Sequence, residues 1–454
     1  MAKFQSLKGF RDFYPEDFAK RAFVTDTWRR IAKSYGFEEY DAPPLESLDL
    51  YRHKSGEELV SQLYSFVDKG GREVAMRPEM TPSVARMIAE RWQALPKPIR
   101  WFSIPQLFRY ERPQAGRLRE HFQFNVDVFG DATGLAEAEI LALVIDAFVA
   151  FGLKPEDVQI RISDRRVLNT LLRNLGAREE QFPAVYSVLD KYQREERSAA
   201  LKRLLEAGLS DEFATNLFAT IERYRNIKRR QEFIAEFGES NQFTVMHHYL
   251  EGLVADHNKW LTFDLTIVRG LGYYTGTVFE AFDTRGEYRA ICGGGRYDGL
   301  LESLGGAAAP AVGFGWGDVV LTEMLSKRGD FSIPKPRVDW FVAGGNDYLE
   351  ALRTSRRLRE MGFTVLTGRP NEAPKASPRG YSAAFKTSRF TWTLRDDLPA
   401  HFQDNEAGIS FEHPSYELAL QHLSSIRLTN NRPPTPAEVR TAFDGWRLRG
   451  SDYR

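Results

Sequence analysis

The sequence has almost no cysteine: Cys292 is the only one in 454 residues, so no intramolecular disulfide can form and the chain fits a reducing compartment. It has no excess charge of either sign. Its 62 lysines and arginines balance 62 aspartates and glutamates, which excludes a generic polyanion binder but leaves room for a local basic patch. It has no long apolar run. The most apolar stretch, Ile140 to Phe151, carries Asp146 and falls well short of the ~20 residues of a membrane helix. Residues 1–16 lack the basic start and apolar segment of a secretory signal, and neither internal repeats nor long low-complexity tracts occur. These absences set the expectation of a cytoplasmic protein without a membrane span. What is present is ordinary globular material, 42% hydrophobic and 27% charged. The length exceeds what one core usually serves, so two or three domains are expected.

Val24, Trp28, Ile31 and Tyr35 recur at helical spacing before Gly36, which predicts a helix over about Asp17 to Tyr35. A second apolar helix is predicted over Leu135 to Phe151, closed by Gly152. Between them, Trp101 to Tyr110 and His121 to Phe129 are aromatic and β-branched, joined by the polar stretch ERPQAGRLRE as a hairpin would be. From Asp164 to about Tyr249 the text is helical and highly charged, and reads as an inserted helical subdomain spanning about 164–250. Strand character returns at Leu261 to Val268 and Thr277 to Phe282, followed by glycine-dense ICGGGRYDG and PAVGFGWGDVVL. The proline-marked SIPKPR (332–337) reads as a linker. After it come a strand WFVAGG, a helix from Tyr348 to Met361 and a strand FTVLT, an αβ unit of a separate small domain over 337–430. The tail 431–454, with NRPPTP and a basic end, is expected to be partly mobile.

Several stretches carry residues capable of chemistry. In HFQFNVDV, period-two geometry puts Phe122, Phe124, Val126 and Val128 on one face and Gln123, Asn125 and Asp127 on the other. That polar row is either a solvated sheet face or the wall of a site for a cationic or imidazole-bearing ligand. Arg109, Arg112, Arg117 and Arg119 crowd into FRYERPQAGRLRE. They suit bidentate recognition of a nucleoside triphosphate or an RNA end, or are plain solvated charge. In RPEMTPSVARM, Glu79 and Thr81 precede a helix start and either hold an ammonium group or cap the helix. GGGRYDG (293–299) reads as a glycine-rich turn. It matches neither a P-loop nor a dinucleotide-binding fingerprint. RYRNIKRR (223–230) is either a solvated helix or an RNA contact.

Taken in order, KGFRDFYPED, APPLESLDLYRHKSGEE, RPEMTPSVAR, FRYERPQAGR, RGLGYYTGTVFE and GGGRYDG resemble the histidyl-tRNA synthetase family of class II aminoacyl-tRNA synthetases over roughly Leu7 to Leu321. The second stretch looks like motif 1, the fourth like motif 2, and the last two like the family's histidine-pocket signatures. The resemblance implies an α+β fold: a class II antiparallel-sheet catalytic domain over 1–330 with a helical insertion, then a C-terminal α/β anticodon-binding-like domain. It implies activation of histidine with ATP, Mg²⁺ neutralising the triphosphate, transfer to tRNA(His), and a homodimer built through motif 1. By position, Arg269 and Arg109 match the catalytic arginines. Glu79, Thr81 and Gln123 match positions that hold the substrate ammonium. Asp127 matches the residue facing the imidazole, and Tyr273 and Tyr274 the pocket tyrosines. Glu111, Arg117 and His121 match ATP contacts. No protein-bound metal is expected.

Three departures stand out. Val320 occupies the place of the motif 3 arginine that grips ATP, and no basic residue occurs from Ala311 to Met324. Gly272 stands for an aspartate, and His121 for an aromatic that stacks on adenine. In the C-terminal domain, EAPKASPRGYSAAFKTS replaces a lysine-rich helix. Two rival readings follow: a noncatalytic histidine-sensing paralogue that regulates ATP phosphoribosyltransferase, and a synthetase-like relative that activates another amino acid.

Overall fold

The computed structural model describes residues 4–52, 60–114, 116–192, 195–225, 227, 229–239, 241–269, 273–329, 331, 338–343, 348–368, 388–393, 400–404, 409–413, 420–421, 423–425 and 433–443. The chain divides into two compact units, Met1–Ile333 and Pro334–Arg454.

The first unit is built on a nine-stranded sheet. Its strands are β1 (Glu38–Glu39), β5 (Ile99–Ser103), β6 (Gln106–Phe108), β7 (Glu120–Phe129), β8 (Val158–Asp164), β9 (Leu261–Phe263), β10 (Thr277–Asp283), β11 (Cys292–Arg296) and β12 (Ala311–Gly317). Side by side they run β1-β5-β7-β12-β11-β10-β8-β9, with β6 also on β7. Only the outermost pairs, β1 with β5 and β8 with β9, are parallel. A small sheet orders β2 (Leu45–Ser47), β4 (Glu73–Met76) and β3 (Ser65–Val67) beside it. This is the expected α+β architecture dominated by antiparallel pairing.

One face of the large sheet is apolar and carries the core. Phe124, Val126, Val128, Phe279, Ala281, Phe314 and Trp316 are buried against two helices. The first, Pro15–Ser34, begins with proline, has Glu16 and Asp17 in its first turn and Lys33 in its last, a charge order that suits the helix dipole. Its Trp28 stacks on Phe124 with ring centroids 5.5 Å apart. The second, Leu135–Ala150, buries residues on nearly every side, which explains its near-continuous apolar text.

After β8 every described element from Arg165 to Trp260 is a helix, and only then does the chain return as β9. The buried residues of these helices, such as Leu168, Val185, Leu217 and Leu250, belong to the same core as the sheet. The predicted strand over Leu261 to Val268 stops at Phe263. Buried Asp264 ends it by accepting hydrogen bonds from the amide and hydroxyl of Thr266 at 2.9 and 2.6 Å, a local turn that competes with the ladder.

GGGRYDG is mainly not a turn. Cys292–Arg296 is a fully buried strand between β10 and β12; a turn follows at Asp298 and Gly299. Its glycines serve close packing: a side chain on Gly294 would overlap the carbonyl of Gly313, and one on Gly295 would meet the carbonyl of Thr277 at 2.5 Å.

In the second unit, β13 (Trp340–Ala343) and β14 (Val365–Thr367) lie parallel, linked through the helix Tyr348–Glu360. The sheet continues through β15 (Phe390–Thr393), β16 (Ala400–Asp404) and β17 (Ile409–His413). The expectation of a mobile tail needs correction for residues 433–443. There the helix Pro436–Phe443 places Val439 in the unit's core. The signal was legible: in TPAE the Thr435 amide and hydroxyl bond the Glu438 carboxylate at 2.7 and 2.9 Å, while the Glu438 amide bonds the Thr435 hydroxyl at 3.3 Å, a capping box with proline at the first helical position. The linker SIPKPR and nearly all of EAPKASPRGYSAAFKTS lie outside the described residues.

Candidate active site

The face of the sheet opposite the core is the candidate site, and its floor is made of glycine. Cross-strand partners share a face. The register aligns Arg161, Glu280, Gly293, Gly315 and Asn125 in one row, and Ser163, Val278, Gly295, Gly313 and Asp127 in the next. A Cβ on Gly313 would strike the Asp127 carboxylate, one on Gly293 would strike the Arg269 guanidinium, and one on Gly315 would meet the Gln123 amide at 2.9 Å. The glycines of β11 and β12 therefore clear the space that three polar side chains occupy. Asn125 and Asp127 are buried, so the polar row of β7 is not a solvated face.

At one end of this floor lies a buried polar and aromatic group. Asp127 accepts a hydrogen bond from the Tyr297 hydroxyl, and its other oxygen, Oδ2, has no hydrogen-bond partner among the described residues. Burial pushes its carboxyl up to about 7, against the opposing pull of the Tyr297 hydrogen bond. Tyr273, Tyr274 and Tyr297 pack mutually, with centroids 5.0 to 6.4 Å apart. The Tyr273 hydroxyl donates to Glu79 Oε2 at 3.2 Å. Glu79 is buried in the turn before the helix Thr81–Arg91, whose cap position is Met80 and which no side chain caps. Thr81 opens that helix and is half-buried.

At the other end is an open cavity of about 630 Å³ whose lining includes Arg109, Glu111, Arg117, His121, Gln123 and Arg269. Arg117 pairs with buried Glu111. Arg109 donates from Nε to the Pro78 carbonyl at 2.9 Å, tying this group to the Glu79 turn. Burial, with the guanidinium groups of Arg109, Arg11 and Arg117 nearby, pushes the His121 imidazole down to about 3. The four motif 2 arginines thus separate. Arg112 is exposed, and Arg119 stacks on Tyr110 at 4.1 Å and donates to the Glu111 carbonyl. Arg77 is buried and donates to Asp41 and to the carbonyls of Ala42 and Gln106, a structural role.

Arg269 stands between the two ends. It is the only described residue other than glycine with positive φ, at 52°, a conformation that costs of order 1 kcal/mol or more and persists where its surroundings enforce it. Its guanidinium lies 3.3 Å from Glu280 and 5.7 Å from the Tyr274 ring, and its Nε has no hydrogen-bond partner among the described residues. Arg165 enforces the conformation by donating to the carbonyls of Val268, Arg269 and Tyr274 at 2.8, 3.1 and 3.2 Å. It staples together the two sides of the segment whose middle, residues 270–272, lies outside the described residues.

Residues 9–317 match the family described as histidyl-tRNA synthetase. The chain belongs to that family. A histidine–tRNA ligase of Opitutus terrae is 43% identical over 377 residues, covering 80% of this chain and 85% of the relative. The crystal structure of histidyl-tRNA synthetase from Nostoc superposes with a TM-score of 0.71 at 25% identity, covering 91% of this chain and 97% of that one. A structure from Bacillus halodurans, described as an ATP phosphoribosyltransferase regulatory subunit/histidyl-tRNA synthetase, gives 0.70 at 23% over 87% and 99%, and so speaks for the fold alone.

Set against the histidyl-tRNA synthetase pattern, the Val320 departure falls on the cavity wall. Val320 sits in the helix Asp318–Arg328, and both it and Arg289 line the cavity. At the start of that helix, buried Asp318 accepts from Arg11 at 2.9 Å and from the Phe122 amide at 2.9 Å, and Arg11 also reaches Glu120 at 2.6 Å. The KGFRDFYPED segment thereby holds both residues that flank His121. Sequence reasoning missed Tyr297, Glu280 and Arg165 as parts of the site. Tyr297 and Glu280 lie inside the quoted GGGRYDG and RGLGYYTGTVFE, whereas nothing near Arg165 in the sequence marks it.

Proposed function

We propose that this chain is a histidine–tRNA ligase that joins histidine to ATP as histidyl-adenylate, releasing pyrophosphate, and then passes the histidyl group to tRNA(His) with release of AMP. The observation that carries the reading is Arg269, a cation enforced in a strained backbone between a buried amphoteric pocket and an open arginine-lined cavity. In the proposed reaction a histidine carboxylate oxygen attacks the α-phosphorus while Arg269 and Arg109 stabilise the growing charge, fixed in advance where water is scarce. Asp127 Oδ2 accepts from one imidazole nitrogen, and Glu79, with Thr81 and Gln123, receives the ammonium. Tyr273 and Tyr274 wall the pocket. A buried carboxylate built to hydrogen-bond a ring nitrogen rejects apolar amino acids strongly, by about 10⁴-fold, without editing. Glu111, Arg117 and a neutral, stacking His121 face the nucleotide.

Among the described residues no group of three or more His, Cys, Asp or Glu side chains could cage a metal. That suits Mg²⁺, which binds through phosphates with one or two carboxylates. Four carboxylates line the cavity, Glu111, Asp190, Glu280 and Asp283; one or two of them would share the ion, which when bound would neutralise the triphosphate. We assign the second unit to anticodon recognition and the working form to a cytosolic homodimer. No described helix is long and apolar enough to cross a membrane. The regulatory-paralogue reading is not favoured, because an arginine-lined nucleotide cavity has no use in sensing histidine alone. The deciding experiment is pyrophosphate exchange into ATP by the purified protein. Exchange dependent on histidine and absent with other amino acids is expected; histidine binding without exchange would overturn the reading.

A further inference from the structure

A second cavity, of about 570 Å³, adjoins the first. It is lined by Gln159, Arg161, Tyr192, Arg225, Thr262 and Asp264. Its volume lies within the roughly 300–1,000 Å³ usual for small-ligand sites. The two cavities share Arg161. The Asp264–Thr266 turn also borders both, Asp264 on one side and Thr266 on the other. The register shows why they are continuous. Thr262 pairs with Arg161, and Arg161 with Glu280, so the second cavity extends the active face to the outer strand of the sheet. Its far wall comes from the helical insertion, through Tyr192 and Arg225. Arg225 belongs to RYRNIKRR, the basic stretch that the adenylate chemistry leaves unused.

The lining brings guanidinium groups beside an aromatic ring. Arg161 and Arg225 both approach buried Asp264, at 3.8 and 4.0 Å. Glu222, which also pairs with Arg225, is exposed. Tyr192 is half-buried, packs on Phe218 with centroids 5.6 Å apart, and has the Arg225 guanidinium 5.8 Å from its ring. A supported aromatic ring flanked by arginines is the platform on which unpaired bases stack and phosphates are held.

We infer that this cavity receives one unpaired nucleotide of the tRNA 3′ end, upstream of the terminal acceptor nucleoside, with its base on Tyr192 and its phosphate against Arg225 and Arg161. The inference rests on the ligase reading. It gives the helical insertion a task at the active face: it fixes the strand's entry angle so that the terminal ribose hydroxyl arrives at the adenylate.

The test compares full-length wild type with Tyr192→Ala, Tyr192→Phe and Arg225→Gln, reading both pyrophosphate exchange, which needs no tRNA, and tRNA charging. Tyr192→Ala and Arg225→Gln are expected to leave exchange within twofold and to raise the KM for tRNA about tenfold or more, the loss expected for one stacked base. Tyr192→Phe, which keeps the ring, is expected to charge within threefold of wild type. Charging within twofold for both Tyr192→Ala and Arg225→Gln would overturn the inference and leave the ligase reading standing. Loss of exchange in both would also overturn it, placing these residues in the fold or the nucleotide cavity. A wild type without histidine-dependent exchange would reject the ligase reading itself.

Discussion

The two ends of the glycine floor share one sheet face yet follow opposite physical rules. At the Asp127 end the groups are buried and few, two tyrosine–carboxylate pairs whose rings pack together, and burial moves the Asp127 carboxyl up to about 7. At the other end the groups are numerous and line an open cavity, and carboxylates such as Glu111 and Glu280 pair with arginines. A buried pocket recognises by the cost of leaving a partner unmatched, whereas an open cationic cavity recognises by summed charge. In the proposed reaction, selectivity for one amino acid would belong to the first end, and tolerance for a large moving anion to the second.

Arg269 joins the two, so breaking it should have the largest effect. Arg269→Lys keeps one charge but loses the planar fork, and adenylate formation should fall by about 10²- to 10³-fold with an unchanged melting temperature. Activity near wild type in an exchange assay would refute its role. Next comes Gly313→Ala, whose Cβ would strike the Asp127 carboxylate. It should lower kcat/KM for histidine about 10- to 100-fold, the equivalent of an overpacking cost of ~1–3 kcal/mol, while the KM for ATP changes little; a symmetrical loss would show that the ends are not separable. Tyr297→Phe removes one buried hydrogen bond and should raise the KM for histidine about tenfold, again sparing ATP.

The smallest effect is in pH. Asp127 ionises near 7 in the folded protein and near its ordinary value of 3.8 when unfolded, so between these values only the folded state holds the proton. Raising pH through that window therefore costs the empty protein stability, and bound histidine should offset the cost by donating to the carboxylate. Accordingly kcat/KM for histidine should decline below pH 7, and Asp127→Asn should abolish that limb along with most of the affinity. A profile unchanged by Asp127→Asn would assign the limb elsewhere.

The architecture was legible because its signals are local. The Pro15–Ser34 helix, the alternation of β7 and the insertion's lack of alternation each follow from period and capping. The phosphate-end arginines could be named because guanidinium groups cluster in sequence, although only Arg109 and Arg117 turn to the cavity while Arg119 and Arg77 hold the scaffold. Less legible was everything decided across strands. GGGRYDG looked like a turn because glycine marks turns locally, yet its glycines answer to the neighbouring strands β10 and β12 and to the Arg269 guanidinium. Arg165 was invisible for the same reason: its three carbonyl partners lie about a hundred residues away.

The glycine floor also constrains how this site can change. Most binding pockets are shaped by side chains that project, and a larger ligand is admitted by trimming one of them. Here the floor over β11 and β12 is shaped by atoms the chain omits, so nothing in the floor remains to trim. Mutation of these glycines can only fill it, and a side chain on Gly293, Gly315 or Gly313 collides with Arg269, Gln123 or Asp127. Deepening the floor would have to move the backbone of a central strand, so any widening of the site has to come from its tyrosine walls. The floor is a mould whose depth the backbone sets.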